Sequence, residues 1–368
     1  MNKKRDKMKK KVLLGMSGGV DSSVAAILLK EQGYEVLGAT MMLWEDKENS
    51  EGCGSAVAAK EAEELCKELG IKHYILDFKE EFKNCVIKNF IKTYNQAMTP
   101  NPCIECNKHM KFNYFYKKAL ELGCEYIATG HYAKTEYNKE YNQYVLKKSN
   151  AGKKDQSYVL YNIPNEIISK VLFPLGEFEN KEQIRQIAEK HGLNVANKPD
   201  SQEICFIPDN DYAKFLKKNS EDKQLPGNIV NKNGKILGKH NGLINYTVGQ
   251  RKGLGISNAT PLYVIELSKE KNEVVVGEEK DIYSSELYAK DINYTLHIPI
   301  KERIKIQAKI RYNANASNAT LYELQENKVK IEFDEPQRAI TKGQSVVFYI
   351  EDIVLRRGNN NLNKSKRG

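Results

Sequence analysis

No run of eighteen apolar residues occurs in the 368-residue chain, so no helix has the length and apolarity to cross a bilayer. A secretion signal is missing as well. The basic start MNKKRDKMKKK is followed only by the short apolar run Val12–Gly15, which breaks at Ser17-Gly18-Gly19. The reading is a cytoplasmic protein. A basic body is also missing. Of the net charge of +10, residues 1–11 carry +6 and residues 356–368 carry +5, leaving −1 over 12–355. Bulk charge therefore says little about a polyanion partner. An even cysteine framework is lacking too: there are seven cysteines, at 53, 66, 85, 103, 106, 124 and 205. An odd count in a long chain without a leader argues against a disulfide scaffold and for metal ligands or reactive thiols. Cys66 and Cys85 lie in helix-like apolar stretches and Cys124 precedes a strand, so these three read as small core residues. No internal repeat is found.

What is present is an alternation of strand and helix. Lys11–Met16 reads as a buried strand, Ser22–Gln32 as a helix stopped by Gly33, and Glu35–Leu43 as a second strand. Ala56–Leu69 reads as a helix, Tyr74–Phe78 as a strand, and Glu81–Gln96 as a helix broken by Thr99-Pro100-Asn101-Pro102. A helix over Phe112–Leu122, a strand over Glu125–Thr129 and a helix over Lys181–His191 follow. This order predicts an α/β fold, a doubly wound parallel sheet with ligands at the carboxyl ends of its strands. After about Cys205, Gly and Asn become frequent. Short alternating runs at Tyr263–Leu267, Glu273–Gly277, Lys305–Arg311, Lys328–Phe333 and Ser345–Ile350 then predict one or two small β domains. The boundaries read as 10–205, 206–282 and 283–357, with disordered basic tails at 1–9 and 358–368.

The segment Gly15-Met16-Ser17-Gly18-Gly19-Val20-Asp21-Ser22-Ser23 joins the first strand to the first helix. Its glycines let backbone amides converge on an anion, and the helix N-terminus adds its dipole. Ser17, Ser22 and Ser23 read as further hydroxyl donors, or Asp21 or Ser22 as a helix cap. The lysine of GxxxxGK[ST] is missing, so this is not a loop gripping β- and γ-phosphates. The string resembles the SGGxDS loop of ATP pyrophosphatases, which cleave ATP to AMP and pyrophosphate while adenylating a substrate. Met41, at the end of the second strand, is placed to stack on an adenine or to fill the core. Gly130 permits close approach of a ligand or simply makes a turn.

Cys103 and Cys106 form a CxxC read as lying in a loop between two helices, and Cys205 lies far downstream in SQEICFI. No second CxxC or His pair completes a zinc site. A phosphate loop with remote cysteines fits activation of an oxygen as an adenylate and its displacement by a sulfur nucleophile. The ordered strings GMSGGVDSS, TPNPCIECNKHMKF, ATGHYA, KKDQSYVLY, SQEICFI, NYTVGQRKGLG and AKIRYNA resemble the bacterial tRNA-specific 2-thiouridylases over residues 10–355.

That resemblance implies a PP-loop domain, a small central β-rich domain and a C-terminal β-barrel. It implies ATP- and Mg²⁺-dependent thiolation of U34 in tRNAs for Lys, Glu and Gln. The sulfur would come from a donor such as a cysteine desulfurase or a sulfur-relay protein. By motif position, Gly15, Met16, Ser17, Gly18, Gly19, Val20, Asp21 and Ser22, with Met41 and Gly130, resemble the ATP contacts. Cys106 matches the nucleophile and Cys205 the persulfide carrier, the two closing into a disulfide after transfer. Asn101, Pro102 and Cys103 match the segment that meets the target base. His131, Lys154, Asp155, Gln156, Arg311, Tyr312 and Gln344 resemble tRNA contacts. Much of the family has Asp at the position of Cys103. The thiol here makes a three-cysteine set with Cys106 and Cys205, which keeps open an alternative route through a 4Fe–4S cluster. An amidating PP-loop ligase and a non-catalytic RNA-binding protein are the other open readings.

Overall fold

The computed structural model describes residues 9–44, 55–196, 204–207, 209–222, 224–294, 296, 303–325 and 327–360. Cys53, residues 201–203 of the downstream cysteine motif, and the tails at 1–8 and 361–368 lie outside them. In chain order the strands and helices begin with β1 (Lys11–Gly15), α1 (Val20–Glu31), β2 (Glu35–Met42), α2 (Ala56–Glu68), β3 (Lys72–Asp77) and α3 (Lys79–Phe82). They continue with α4 (Lys88–Asn95), α5 (Pro102–Cys106), α6 (Phe115–Glu121), β4 (Tyr126–Ala128), β5 (Lys134–Asn138) and β6 (Gln143–Lys147). Next come α7 (Ser157–Leu160), α8 (Asn165–Ile168), β7 (Val171–Leu172), α9 (Lys181–Lys190) and α10 (Tyr212–Asn219). Wider π-type turns, Lys83–Ile87 and Asn107–Tyr114, continue α3 into α4 and α5 into α6. Among the described residues no helix is long and apolar enough to cross a membrane.

The chain divides into two compact units. The first joins the residues up to Val86 with Cys103–Asn210. Its sheet has the order β3-β2-β1-β4-β7, with every pairing parallel. Val12, Leu13 and Leu14 of β1 are each 0% exposed, the continuous apolar run that a sheet covered on both faces demands. Val12 and Leu14 share a core with Val24, Ile27 and Leu29 of α1, Leu65 of α2 and Ile184 of α9. Leu13, between them in the strand, points to the opposite face.

The second unit joins Ile87–Pro102 with the chain from Asp211 onward. Within it α4 packs on α10. Phe90 meets Phe215 edge-on at 6.2 Å, Tyr94 stacks on Tyr212 at 5.2 Å, and Asn95 Nδ2 donates to Ser220 Oγ at 2.8 Å. The unit's first sheet contains β8 (Gly227–Asn231), β9 (Ile236–His240), β10 (Tyr263–Ser268) and β11 (Glu273–Gly277), in the order β10-β11-β8-β9.

Its remaining strands are β12 (Tyr283–Tyr294), β13 (Arg303–Lys309), β14 (Ser317–Leu324), β15 (Lys328–Arg338), β16 (Ser345–Ile350) and β17 (Ile353–Asn360). They run β12-β15-β14-β13-β16-β17, and a β12–β17 pairing closes the barrel and leaves no free edge. This closure corrects the tail reading at residues 358–360. Asn359 and Asn360 pair with Lys290 and Ala289, and Gly358 and Asn359 with Val346 and Ser345, so these residues form a strand between β12 and β16.

Two of the core-like cysteines are sealed. Cys66 is 0% and Cys124 2% exposed, and burial pushes their thiols up to about 12 and about 11. Cys66 Sγ lies 2.7 Å from where a Cβ on Gly38 would stand. Gly38→Ala should therefore cost roughly 1–3 kcal/mol in urea unfolding, with part recovered when Cys66→Ala is added. An unchanged midpoint for the single variant would contradict this packing.

Candidate nucleotide and thiol site

The glycine loop opens a bare helix end. The N-cap of α1 is Gly19, with no side-chain cap, rather than Asp21 or Ser22. Ser22 Oγ donates to Gly19 O at 3.0 Å and accepts from Ser17 N at 3.3 Å. Ser23 Oγ donates to Gly19 O at 2.8 Å. Two of the three hydroxyls expected to reach a ligand are thus turned inward, bracing the loop, and only Ser17 is exposed. The first amides of α1 consequently remain for an outside anion.

Neighbouring strand ends crowd this turn. A Cβ on Gly15 would touch Thr129 Cγ2, Ala128 O and Met41 Cε at 3.7–3.8 Å, so the ends of β1, β2 and β4 converge there. Gly18 has φ +71° and lies against Glu61 and Ala58, where a side chain would be strained. A Cβ on Gly130 would stand 3.0 Å from the backbone of Asp21 and Ser22, so glycine lets the exit of β4 reach the first turn of α1.

Asp21 is gripped from two sides. Tyr132 Oη donates to Oδ1 at 2.7 Å and Lys181 Nζ to Oδ2 at 3.0 Å. Lys181, the first residue of α9, has a side chain only 12% exposed. It supplies the cation that the loop's own sequence lacks. It stands 160 positions downstream, and its only local sign is that it follows Asn180, whose side chain caps α9 by accepting from Gln183 N.

His131 follows the exit of β4. Its Nε2 lies 3.3 Å from Lys111 Nζ and its Nδ1 2.7 Å from Thr129 Oγ1. An ammonium only donates, so Nε2 accepts and Nδ1–H donates to the threonine. Burial, and then the charge of Lys111, hold this imidazole well below the ordinary histidine range, so it is neutral at physiological pH. Among residues 154–156, Lys154 is exposed. Asp155 is buried, accepting from Ser149 N at 2.9 Å and Ser157 Oγ at 2.6 Å. Gln156 Oε1 accepts from Tyr132 N at 2.9 Å.

The CxxC does not lie in a loop. Pro102 opens α5, a position where its missing N–H is no loss, and places Cys103 and Cys106 about one turn apart. Cys103 is exposed and Cys106 is 9% exposed. Cys205 is half-buried in a turn closed by Ile207 N donating to Ile204 O at 2.8 Å. The next residue, Phe206, packs on Phe82 at 5.6 Å and on Trp44, just past the end of β2, at 6.4 Å. Phe82 belongs to α3, which packs against the segment that follows Cys106. Phe206 thus ties the Cys205 turn to α3 and to the residues just after β2. Cys103, Cys106 and Cys205 are all described, yet no three His, Cys, Asp or Glu side chains among the described residues are grouped to hold a metal. The described residues thus do not favour the iron–sulfur route.

The second unit carries the other expected contacts. Gln344 Nε2 donates to Thr99 O at 2.9 Å and Pro100 O at 3.2 Å, fixing the segment that leads into Asn101 and Pro102. Arg311 and Tyr312 sit in the turn after β13, with Lys309 Nζ over the Tyr312 ring at 5.6 Å.

A family profile described as tRNA methyl transferase HUP domain matches residues 10–209. Profiles described as tRNA methyl transferase PRC-barrel domain and Aminomethyltransferase beta-barrel domain match 213–278 and 284–358. A protein of Clostridioides difficile named tRNA-specific 2-thiouridylase MnmA is 52% identical over 95% of this chain and 97% of its own. One of the same name from Acetivibrio thermocellus is 51% identical over 94% and 98%.

Gly130→Ala should weaken ATP binding at least tenfold, about 1.4 kcal/mol, in titration calorimetry, because the added methyl meets backbone atoms of α1. An unchanged Kd would place the nucleotide elsewhere.

Proposed function

The chain belongs to the tRNA-specific 2-thiouridylase family, and from that premise we propose that it uses ATP to exchange the C2 oxygen of U34 for sulfur in tRNAs for Lys, Glu and Gln. The observation that carries the reading is the uncapped first turn of α1 on its glycine loop, in the same unit as Cys106 and Cys205. The curated relatives are named for thiolation rather than methyl transfer. A phosphate loop and a pair of thiols are the parts thiolation needs.

In the first step O2 of U34 attacks the α-phosphorus of ATP. The bond to pyrophosphate breaks, the N3 proton goes to solvent, and AMP is left on O2. The amides of α1, exposed Ser17 and Lys181 face the charge that builds on the phosphates. Asp21 is the carboxylate that fits a Mg²⁺ held together with the triphosphate, and such an ion would neutralise the departing pyrophosphate. Met41 and Gly130 border the adenine and phosphate ends. In the second step Cys205 carries a sulfane sulfur from a persulfide donor such as a cysteine desulfurase or relay protein. Its terminal sulfur attacks C2 and AMP leaves with the original oxygen. The Cys106 thiolate then attacks Cys205 Sγ, the base departs as 2-thiouridine with N3 reprotonated, and a Cys106–Cys205 disulfide remains. The sulfane sulfur is reduced and the two thiols are oxidised, so a dithiol reductant resets the enzyme.

The base must leave its stack to reach these groups, as in other enzymes acting on nucleobases. Asn101, Pro102 and Cys103 meet the flipped base, and Gln344 acts by holding the Thr99–Pro100 approach. Lys154 reaches phosphate. His131 offers a neutral ring edge, Asp155 and Gln156 shape the loop from behind, and Arg311 and Tyr312 add contacts from the barrel. Cys103 occupies a position where an acid–base carboxylate is common in the family, and as an exposed thiol it serves as an accessory group only.

Mass spectrometry of U34 after incubation with ATP, Mg²⁺ and a persulfide donor tests the proposal. Cys106→Ala and Cys205→Ala should each lower 2-thiouridine at least a hundredfold. Full thiolation by either variant would favour an amidating or purely RNA-binding role.

A further inference from the structure

Asp21 lies in the first turn of the helix that faces the phosphates, where an uncompensated carboxylate would repel them. Its two oxygens are held by different parts of the first unit: Oδ2 by Lys181 and Oδ1 by the hydroxyl of Tyr132. Tyr132 is 3% exposed, so its ring cannot swing away without disturbing the core it shares with α1. Its backbone is fixed at both polar groups by one residue. Gln156 Oε1 accepts from Tyr132 N at 2.9 Å, and Gln156 N donates to Tyr132 O at 2.8 Å.

Gln156 ends a stiffened loop. Buried Asp155 ties Ser149 N to Ser157 Oγ across it, while Lys153 and Lys154 remain exposed on its outer side. Those lysines therefore stand on a loop bonded through Gln156 to Tyr132, and through Tyr132 to Asp21. The contact is continuous, of hydrogen-bond length throughout, and ends on the acid beside the uncapped amides.

We propose that Tyr132 is a positioning residue that links RNA on the Lys153–Gln156 loop to the orientation of Asp21, so that RNA held on the loop speeds pyrophosphate release beyond supplying its nucleophile. The inference rests on the thiolation reading, since the RNA must be its substrate.

The test compares the full-length parent with Tyr132→Phe, Gln156→Ala and the double variant. For the parent, unmodified tRNA should accelerate pyrophosphate release. Each single variant should lower the tRNA-stimulated kcat at least fivefold while KM for ATP and for tRNA shifts less than twofold. The double variant should lose no more than either single one, the signature of residues acting in series. In nucleotide-free protein, tRNA should slow amide exchange at residues 20–24 of the parent and not of Tyr132→Phe. If Tyr132→Phe is poorly folded, Gln156→Ala alone carries the comparison. Parent-like stimulation in the single variants or losses that multiply in the double variant overturns the link, whereas a parent indifferent to tRNA overturns the thiolation reading. A parent that makes no 2-thiouridine at all does the same, so the two failures are distinguishable.

Discussion

The bare first turn of α1 is the constraint on which the rest of the site depends. A helix start usually finds a side-chain acceptor for its amides, and here Gly19 offers none while Ser22 and Ser23 spend their hydroxyls on Gly19 O. The loop is thus braced from inside and open outside. The steric fit of Gly15, Gly18 and Gly130 follows from that, because each lets backbone or strand end approach where a side chain would intrude. So does the pairing of Asp21 with Lys181, which places a cation beside a carboxylate at the first turn of α1.

The thiols differ in their settings. Five described cysteines of the first unit are buried or half-buried, at 66, 85, 106, 124 and 205. Cys66 and Cys124 are sealed with thiols pushed up by burial, which keeps them inert. Cys106 lies at the end of a short helix that Pro102 starts, and Cys205 in a turn anchored by Phe206 on Phe82 and Trp44. The aromatic anchor holds the turn that carries Cys205.

Much of the fold was legible in the sequence where one signal sufficed. Buried strand β1, the helix after the glycine loop and the parallel alternation follow from local periodicity and glycine stops, and the observed ends lie within a few residues of those read. What escaped depends on distant partners. Residues 358–360 have no pattern of their own and become strand because β12 and β16 flank them. The CxxC looked like loop because Thr99–Pro102 breaks one helix, yet its last proline starts the next. Lys181 and Tyr132 carry no local mark of their bond to Asp21, and the inward turn of Ser22, Asp155 and Gln156 is set by neighbours that spacing does not reveal. The glycine loop and the cysteine spacing marked the chemistry, while the residues that hold them in place had to be seen in three dimensions.

The central claim is that the oxygen leaving C2 of the uridine departs on AMP. tRNA bearing ¹⁸O at O2 of U34 tests it directly when the AMP formed in a single turnover is weighed by mass spectrometry. The account predicts one ¹⁸O in the AMP for each 2-thiouridine made. Unlabelled AMP alongside 2-thiouridine would contradict it.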